Sequence, residues 1–216
     1  LTLLGFVPMA NAVNYTITDL GTLGGDASAA TAINNYGQIV GGSNITNHND
    51  FHAFLWNAGT MTNLGALGEK SYARAINDGG QIVGYSYTLN TPSATLWNGS
   101  TMTDLGTLGG DASDAWGINN AGQIVGYSNI TGSTVKHATL WSGSTLTDLG
   151  NLGGTVGNGQ ASAINSTGQI VGQTATGSTV SHATLWSGGT MTDLGGLGAN
   201  NDFPFAINNA GQIVGY

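Results

Sequence analysis

Apolar residues in this chain come in short runs and never at a helical period. Pairs such as Ile39-Val40 and Leu55-Trp56 sit inside brief β-branched and aromatic stretches bounded by Gly, Asn and Ser. No spacing of 3.6 residues survives for three turns, so the pattern predicts strands throughout. Consecutive residues of a strand point to opposite faces. An apolar pair therefore asks for burial on both faces, where a sheet with one wet face would alternate more cleanly. The expectation is a set of small sheets stacked face to face, each between two neighbours.

The runs repeat. GQIVG begins at Gly37, Gly80, Gly122, Gly168 and Gly211, at spacings of 43, 42, 46 and 43 residues. Ile-Asn pairs precede it each time, at Ile33, Ile76, Ile118, Ile164 and Ile207. L-G-x-L-G starts at Leu20, Leu64, Leu105, Leu149 and Leu194, while Leu-Trp occurs only four times, ending at Trp56, Trp97, Trp141 and Trp186. I-N-x-x-G-Q reads as a hairpin, with Asn opening a type I turn and Gly accepting positive φ at its end. Ile33 and Ile39, and each equivalent pair, should then lie on adjacent antiparallel strands. W-x-x-G-[ST] reads as a second hairpin. Four short strands in about 43 residues is the signature of a β-propeller blade. The fold expected is thus all-β, a β-propeller of about five four-stranded blades, as a whole or as part of a larger ring. Its units are residues 13–46, 47–89, 90–130, 131–176 and 177–216, forming one repeat domain over 13–216 with nineteen strands. The T-x-T triplets, from Thr16-Thr18 to Thr190-Thr192, keep a β-solenoid with stacked Thr ladders as the alternative. Five GQIVG runs against four Leu-Trp runs suggest that the protein continues past Tyr216.

Composition narrows the function. Three basic residues against eleven acidic ones give a net charge of −8, too little positive charge to neutralise many phosphates. No nucleic-acid partner is expected. No apolar run reaches the roughly 18 residues of a spanning helix, so no membrane span is expected either. Glycine supplies 37 of 216 residues, yet 40% of the chain is hydrophobic, which argues against disorder. Leu1 to Ala12 ends in Ala10-Asn11-Ala12, the small-residue pattern of a secretory cleavage site, and reads as the remnant of a signal peptide over 1–12. An extracellular or cell-surface protein without cysteines or disulfides is the expected address.

His52-Ala53-Phe54-Leu55-Trp56, followed by T-N-L-G and A-I-N-D-G-G-Q-I-V-G, resembles the HAF repeats of mostly bacterial extracellular proteins. The resemblance spans nearly all of residues 13–216. Only one unit spells His-Ala-Phe; two have His-Ala-Thr, at His137 and His182, and one has Ser-Ala-Thr at Ser93. It implies a secreted or surface-displayed repeat protein and no catalytic residues.

Candidate chemistry is sparse. His52, His137 and His182 occupy one repeat position, which spreads them between units instead of gathering them on a metal; His48 stands apart. Asp19, Asp104, Asp148 and Asp193 share a position with Asn63, as expected of acceptors for backbone N–H groups at a strand end. Asp26, Asp111 and Asp114 near Gly-Gly loops lack the spacing of a calcium loop. Arg74 is the single arginine, Lys70 lies beside Glu69 as a solvated pair, and the repeated tryptophans read as core. Trp116 falls outside that series and reads as an exposed aromatic. The sequence therefore assigns no catalytic, cofactor-binding or metal-binding residue and no cofactor. It points to a non-catalytic binding or structural module for a glycan or extracellular matrix ligand, with oligomeric state open. A Thr-rich ice-binding or filament-forming protein and a propeller hydrolase or lyase are the alternatives.

Overall fold

The computed structural model describes residues 15–46, 50–153, 157–177, 180–196 and 202–216. Within them the chain has no helix and eighteen strands in five sheets. Sheet one comprises β1 (Gly24–Ile33), β2 (Ile39–Ile45), β3 (Phe51–Asn57) and β4 (Thr60–Gly65). Sheet two comprises β5 (Ser71–Ile76), β6 (Gln81–Thr88), β7 (Thr91–Asn98) and β8 (Thr101–Asp104). Sheet three comprises β9 (Gly109–Ile118), β10 (Ile124–Ile130), β11 (Lys136–Ser142) and β12 (Thr145–Gly150). Sheet four comprises β13 (Gly159–Ile164), β14 (Ile170–Ala175), β15 (Ser181–Ser187) and β16 (Thr190–Asp193), and sheet five has β17 (Pro204–Ile207) and β18 (Ile213–Gly215). Each is an antiparallel meander in chain order.

Both expected hairpins form. Ile33 pairs with Ile39, and Ile76, Ile118, Ile164 and Ile207 pair with Ile82, Ile124, Ile170 and Ile213. In the first turn Gly37 N donates to Asn34 O at 3.1 Å, with Gly37 at φ 75°. The second turn has two residues, Ala58-Gly59 between Asn57 and Thr60, and positive φ at both.

The apolar pairs explain the stacking. Ile82 packs toward sheet one with Val40, Ala53 and Ala73, while its neighbour Val83 packs toward sheet three with Ala94, Ala115 and Ile124. Val125 repeats this toward sheet four, against Ala161 and Ile170. The first three inter-sheet layers are each sealed by a tryptophan from the later sheet, and Trp97, Trp141 and Trp186 are 2%, 3% and 5% exposed. Trp56, with no earlier sheet against it among the described residues, is only half-buried. The reading of these residues as core holds for the first three and in part for Trp56.

The repeated Asn does more than cap its turn. Asn119 Oδ1 accepts from Ala121 N and Gln123 N at 3.1 and 3.0 Å, while Nδ2 donates to Gln123 Oε1 at 2.8 Å and to Asn165 O in the next sheet at 3.1 Å. Asn34, Asn77 and Asn165 make the same link to Asn77 O, Asn119 O and Asn208 O, each at 3.1 Å. A relay of side-chain amides thus ties all five sheets together at one end.

Three sequence expectations change. Thr16 to Thr18, expected as a strand, pairs with no strand among the described residues, and Ile17 is 99% exposed, so eighteen strands are described in place of nineteen. Sheet boundaries fall after the T-x-T strand, two strands out of phase with the sequence units. Strands pair within a meander and not between successive repeats, so the T-x-T triplets lie on the fourth strands of separate sheets. That pairing lacks the rung-to-rung ladder a solenoid needs. Residues 1–12 lie outside the described residues.

Candidate binding site

Aligning the first strands of the five sheets exposes a fixed frame with two variable places. The frame is A-x-A-I-N with small departures. The residue x is Thr31, Arg74, Trp116, Ser162 or Phe205, and the residue two places earlier is Ala29, Tyr72, Asp114, Gln160 or Phe203. In an extended strand both share a face. A β-bulge falls at x in every sheet: Ala30 pairs with Gly41 and Ala32 with Val40, leaving Thr31 over, and the same shift recurs in β5, β9, β13 and β17. Bulges re-aim side chains. The bulge also explains the last glycine of GQIVG. A Cβ at Gly84, Gly126 or Gly172 would collide with the carbonyl oxygen of Tyr72, Asp114 or Gln160.

All five x residues line one cleft of about 250 Å3, together with Gln160, Phe203 and Pro204. Its lining comes from the first strand of each sheet and from Phe203, just before β17. Arg74 of the cleft and Asp114 beneath it form a bidentate pair, Nε to Oδ1 at 3.0 Å and Nη2 to Oδ2 at 2.7 Å. Their side chains are 25% and 5% exposed. The Arg74 guanidinium lies 3.9 Å above the Trp116 ring and 5.1 Å from Tyr85. Burial pushes the Asp114 carboxyl above the usual carboxylate range, and the guanidinium opposes that shift. Burial likewise raises Tyr85 and takes the Tyr127 hydroxyl up to about 12. The cleft thus joins aromatic surface with amide and hydroxyl groups, and its one cation is already matched by a carboxylate.

The remaining cations follow the same preference for rings. Lys70 sits 4.3 Å above Tyr87 and Lys136 sits 4.1 Å above Tyr127. Lys70 therefore leaves Glu69, its expected solvated partner, and no ion pair joins those two among the described residues. Tyr72 and Tyr85 stack at 6.2 Å with Phe51 beyond, extending the aromatic surface along β5 and β6.

The other candidates are structural. His137 Nδ1 meets Asp148 Oδ2 at 2.8 Å, His182 meets Asp193 at 3.0 Å and His52 meets Asn63 at 3.3 Å, clipping third strand to fourth. The same Asp or Asn accepts a backbone N–H two residues on, from Gly65, Gly106, Gly150 or Gly195, as the sequence suggested. Gly21 makes this bond to Asp19 even though its strand is unpaired. No group of three or more metal-ligating side chains occurs among the described residues, and His48 lies outside them. Asp114 turns to Arg74, which removes it from any calcium set with Asp111.

Sequence reasoning singled out Trp116 but expected it to be exposed; it is half-buried under Arg74 at the cleft. It named Arg74 and Asp114 without foreseeing that they pair, and it missed Phe203 and Phe205. The missing signal was available: these residues vary inside an otherwise repeated frame. No helix among the described residues is long and apolar enough to cross a membrane. No protein-family model and no curated protein matches the chain.

Proposed function

We propose that this chain is a secreted β-propeller of the HAF-repeat type, and that its central cleft binds a neutral sugar ring of a glycan or extracellular matrix without catalysing its turnover. The observation that carries this reading is the convergence of the five variable residues, one from each sheet, on a single cleft. A repeated scaffold whose first strands bring their variable residues to one cleft offers a place for a ligand. The volume of about 250 Å3 lies below the roughly 300–1,000 Å3 of pockets for drug-sized ligands, which suits one ring. Trp116, Phe203 and Phe205 offer stacking surface, and Gln160, Ser162 and Thr31 offer donors and acceptors for hydroxyls. Neutrality follows from the pairing of Arg74 with Asp114, which leaves no free cation for an acidic sugar. Hydrolysis needs two carboxyl groups flanking the bond, and among the residues lining the cleft there is none; Asp114 beneath Arg74 stands alone.

The test is a titration with neutral mono- and oligosaccharides, with uronic acids alongside, followed by calorimetry. Saturable binding of neutral sugars is expected, about tenfold weaker in Phe205→Ala, equivalent to about 1.4 kcal/mol. Phe205 is 58% exposed, so its loss spares the fold. Ser162→Tyr should fill the cleft and abolish binding. Binding that survives Ser162→Tyr, or no binding across the panel, overturns the reading.

A further inference from the structure

A second pocket, of about 300 Å3, opens beside the sugar cleft, and all of its lining falls in the unbroken stretch 50–153. Lys70, Tyr72 and Arg74 alternate along the start of sheet two, while Ser71 and Ala73 between them are buried. Residues two apart on a strand share a face. Tyr85 and Tyr87 of β6 stand beside them, because Tyr72 pairs with Tyr85 and Tyr87 N donates to Lys70 O at 2.8 Å. Lys70 and the three tyrosines line the second pocket with Phe51 and Asp50 of the sheet-one side, whereas Arg74 and Trp116 line the cleft. Tyr85 joins the two. Its ring is 5.1 Å from the Arg74 guanidinium, 6.2 Å from Tyr72 and 5.7 Å from Tyr87, and the guanidinium in turn lies 3.9 Å above Trp116. Aromatic surface therefore runs from the cleft along β5 and β6. Sheets one, three and four lack this equipment: the counterparts of Lys70 are Ala27, Ala112 and Asn158, and those of Tyr87 are Asn44, Asn129 and Ala175. Sheet one makes room for it, since the counterpart of Tyr85 there is Gly42, where a Cβ would collide with the Tyr72 ring.

We propose that the second pocket is a subsite for the next rings of the glycan held in the cleft, so that the ligand is a neutral oligosaccharide chain and not a single sugar. The proposal rests on the sugar reading of the cleft. Phe51, Tyr72, Tyr85 and Tyr87 supply stacking surface for the apolar face of a sugar ring. The tyrosine hydroxyls and the Lys70 ammonium donate to sugar hydroxyls, and the Asp50 carboxylate accepts from them. One cation and one carboxylate balance, so the preference for a neutral ligand extends along the whole track. The chain leaves the cleft past Arg74 and follows the first strand of sheet two toward Lys70. A ring that is held too weakly to register alone binds once its neighbour is anchored, because the linkage raises its effective concentration. The second pocket therefore adds affinity to a chain already seated in the cleft and holds no free sugar by itself.

The experiment is a calorimetric titration of the whole chain with neutral monosaccharides and with their own oligomers of increasing length, in the gluco, manno and galacto series. In a series whose monosaccharide binds, lengthening should tighten binding at least about tenfold. Tyr87→Ala should remove that gain and leave the monosaccharide affinity unchanged. Lys70→Ala, a second variant on the same pocket, should remove part of it. Retained monosaccharide affinity shows that each variant is folded, whereas a purely structural role for Tyr87 would lower both affinities together. Oligomers no tighter than their monosaccharide, or a gain that persists in both variants, overturn the second subsite and leave the reading of the cleft standing. A joint fall of monosaccharide and oligomer binding in both variants also overturns it, by assigning the two side chains to the fold. Failure of every sugar to bind overturns the reading of the cleft and this proposal with it.

Discussion

Asn119→Asp isolates the inter-sheet relay from the turn it caps. Aspartate keeps the two bonds that Oδ1 accepts from Ala121 N and Gln123 N. It loses the two that Nδ2 donates, to Gln123 Oε1 and Asn165 O. Gln123 can turn its amide and donate instead, so the first loss is repaired. Asn165 O cannot turn. It keeps the N–H of Gly168 at 3.1 Å but loses its inter-sheet donor and faces a carboxylate, at a position where Asn119 is 5% exposed. One lost bond costs about 1 kcal/mol and a carboxylate buried against a carbonyl oxygen about 1–3 kcal/mol, so the expected loss is about 2–4 kcal/mol. Asn208→Asp is the internal control. Its Nδ2 donates only to Gln212 Oε1 and the residue is exposed, so its loss should stay below about 1 kcal/mol. Urea unfolding followed by far-UV circular dichroism measures both. A second readout is pH. The buried carboxyl created at position 119 has a raised folded-state pKa, so its penalty is felt above that pKa and shrinks as pH falls. The protonated acid can then donate to Asn165 O. The gap between Asn119→Asp and the parent should narrow from pH 7 to pH 5. Equal losses for the two variants at pH 7 would refute the claim that the relay couples sheets.

Two further outcomes rest on the same geometry. Trp141→Ala should cost about 3–5 kcal/mol in unfolding free energy, because the side chain seals a closed layer, whereas Trp56→Ala should cost less than half as much; similar losses would contradict the layer scheme. Asp78 accepts a backbone N–H from Asn35 and side-chain amides of Asn120 and Asn35, which hold its carboxyl below the usual range, and His182 together with Gly195 N–H does the same for Asp193. Lowered folded-state values give stability that is present above the unfolded pKa near 3.8 and lost as pH falls through the folded one. Thermal unfolding should therefore weaken below about pH 4, and Asp78→Asn should flatten part of that decline; an unchanged slope would count against it.

Local chemistry was legible in the sequence because each device is local. The Asn-Gly turns, the two-residue Trp hairpins and the Asp or Asn acceptors at strand ends are settled by contacts within five residues. The Ile-Val pairs also announced burial on both faces, which the stacked sheets bear out. Sheet phase was not legible, since a T-x-T strand could pair equally with the run on its N-terminal side or the run on its C-terminal side. Thr16 to Thr18 shows the limit: the residues of a strand, with the local turn intact at Gly21, form none without a Leu-Trp neighbour to pair with.

The cleft belongs to the tertiary level for a similar reason. Thr31, Arg74, Trp116, Ser162 and Phe205 are spread across the chain, and nothing nearby in sequence reveals that five bulges aim them at one place. Arg74 and Asp114, forty residues apart, become a pair only when sheets two and three stack. The inter-sheet half of each Asn amide is hidden likewise, because its acceptor lies one whole repeat away. Sequence by itself determined the strands, their turns and their period, through backbone preference and alternation. Packing of sheet on sheet decided which of the variable residues meet, because burial and desolvation act on distances that the linear chain does not encode locally.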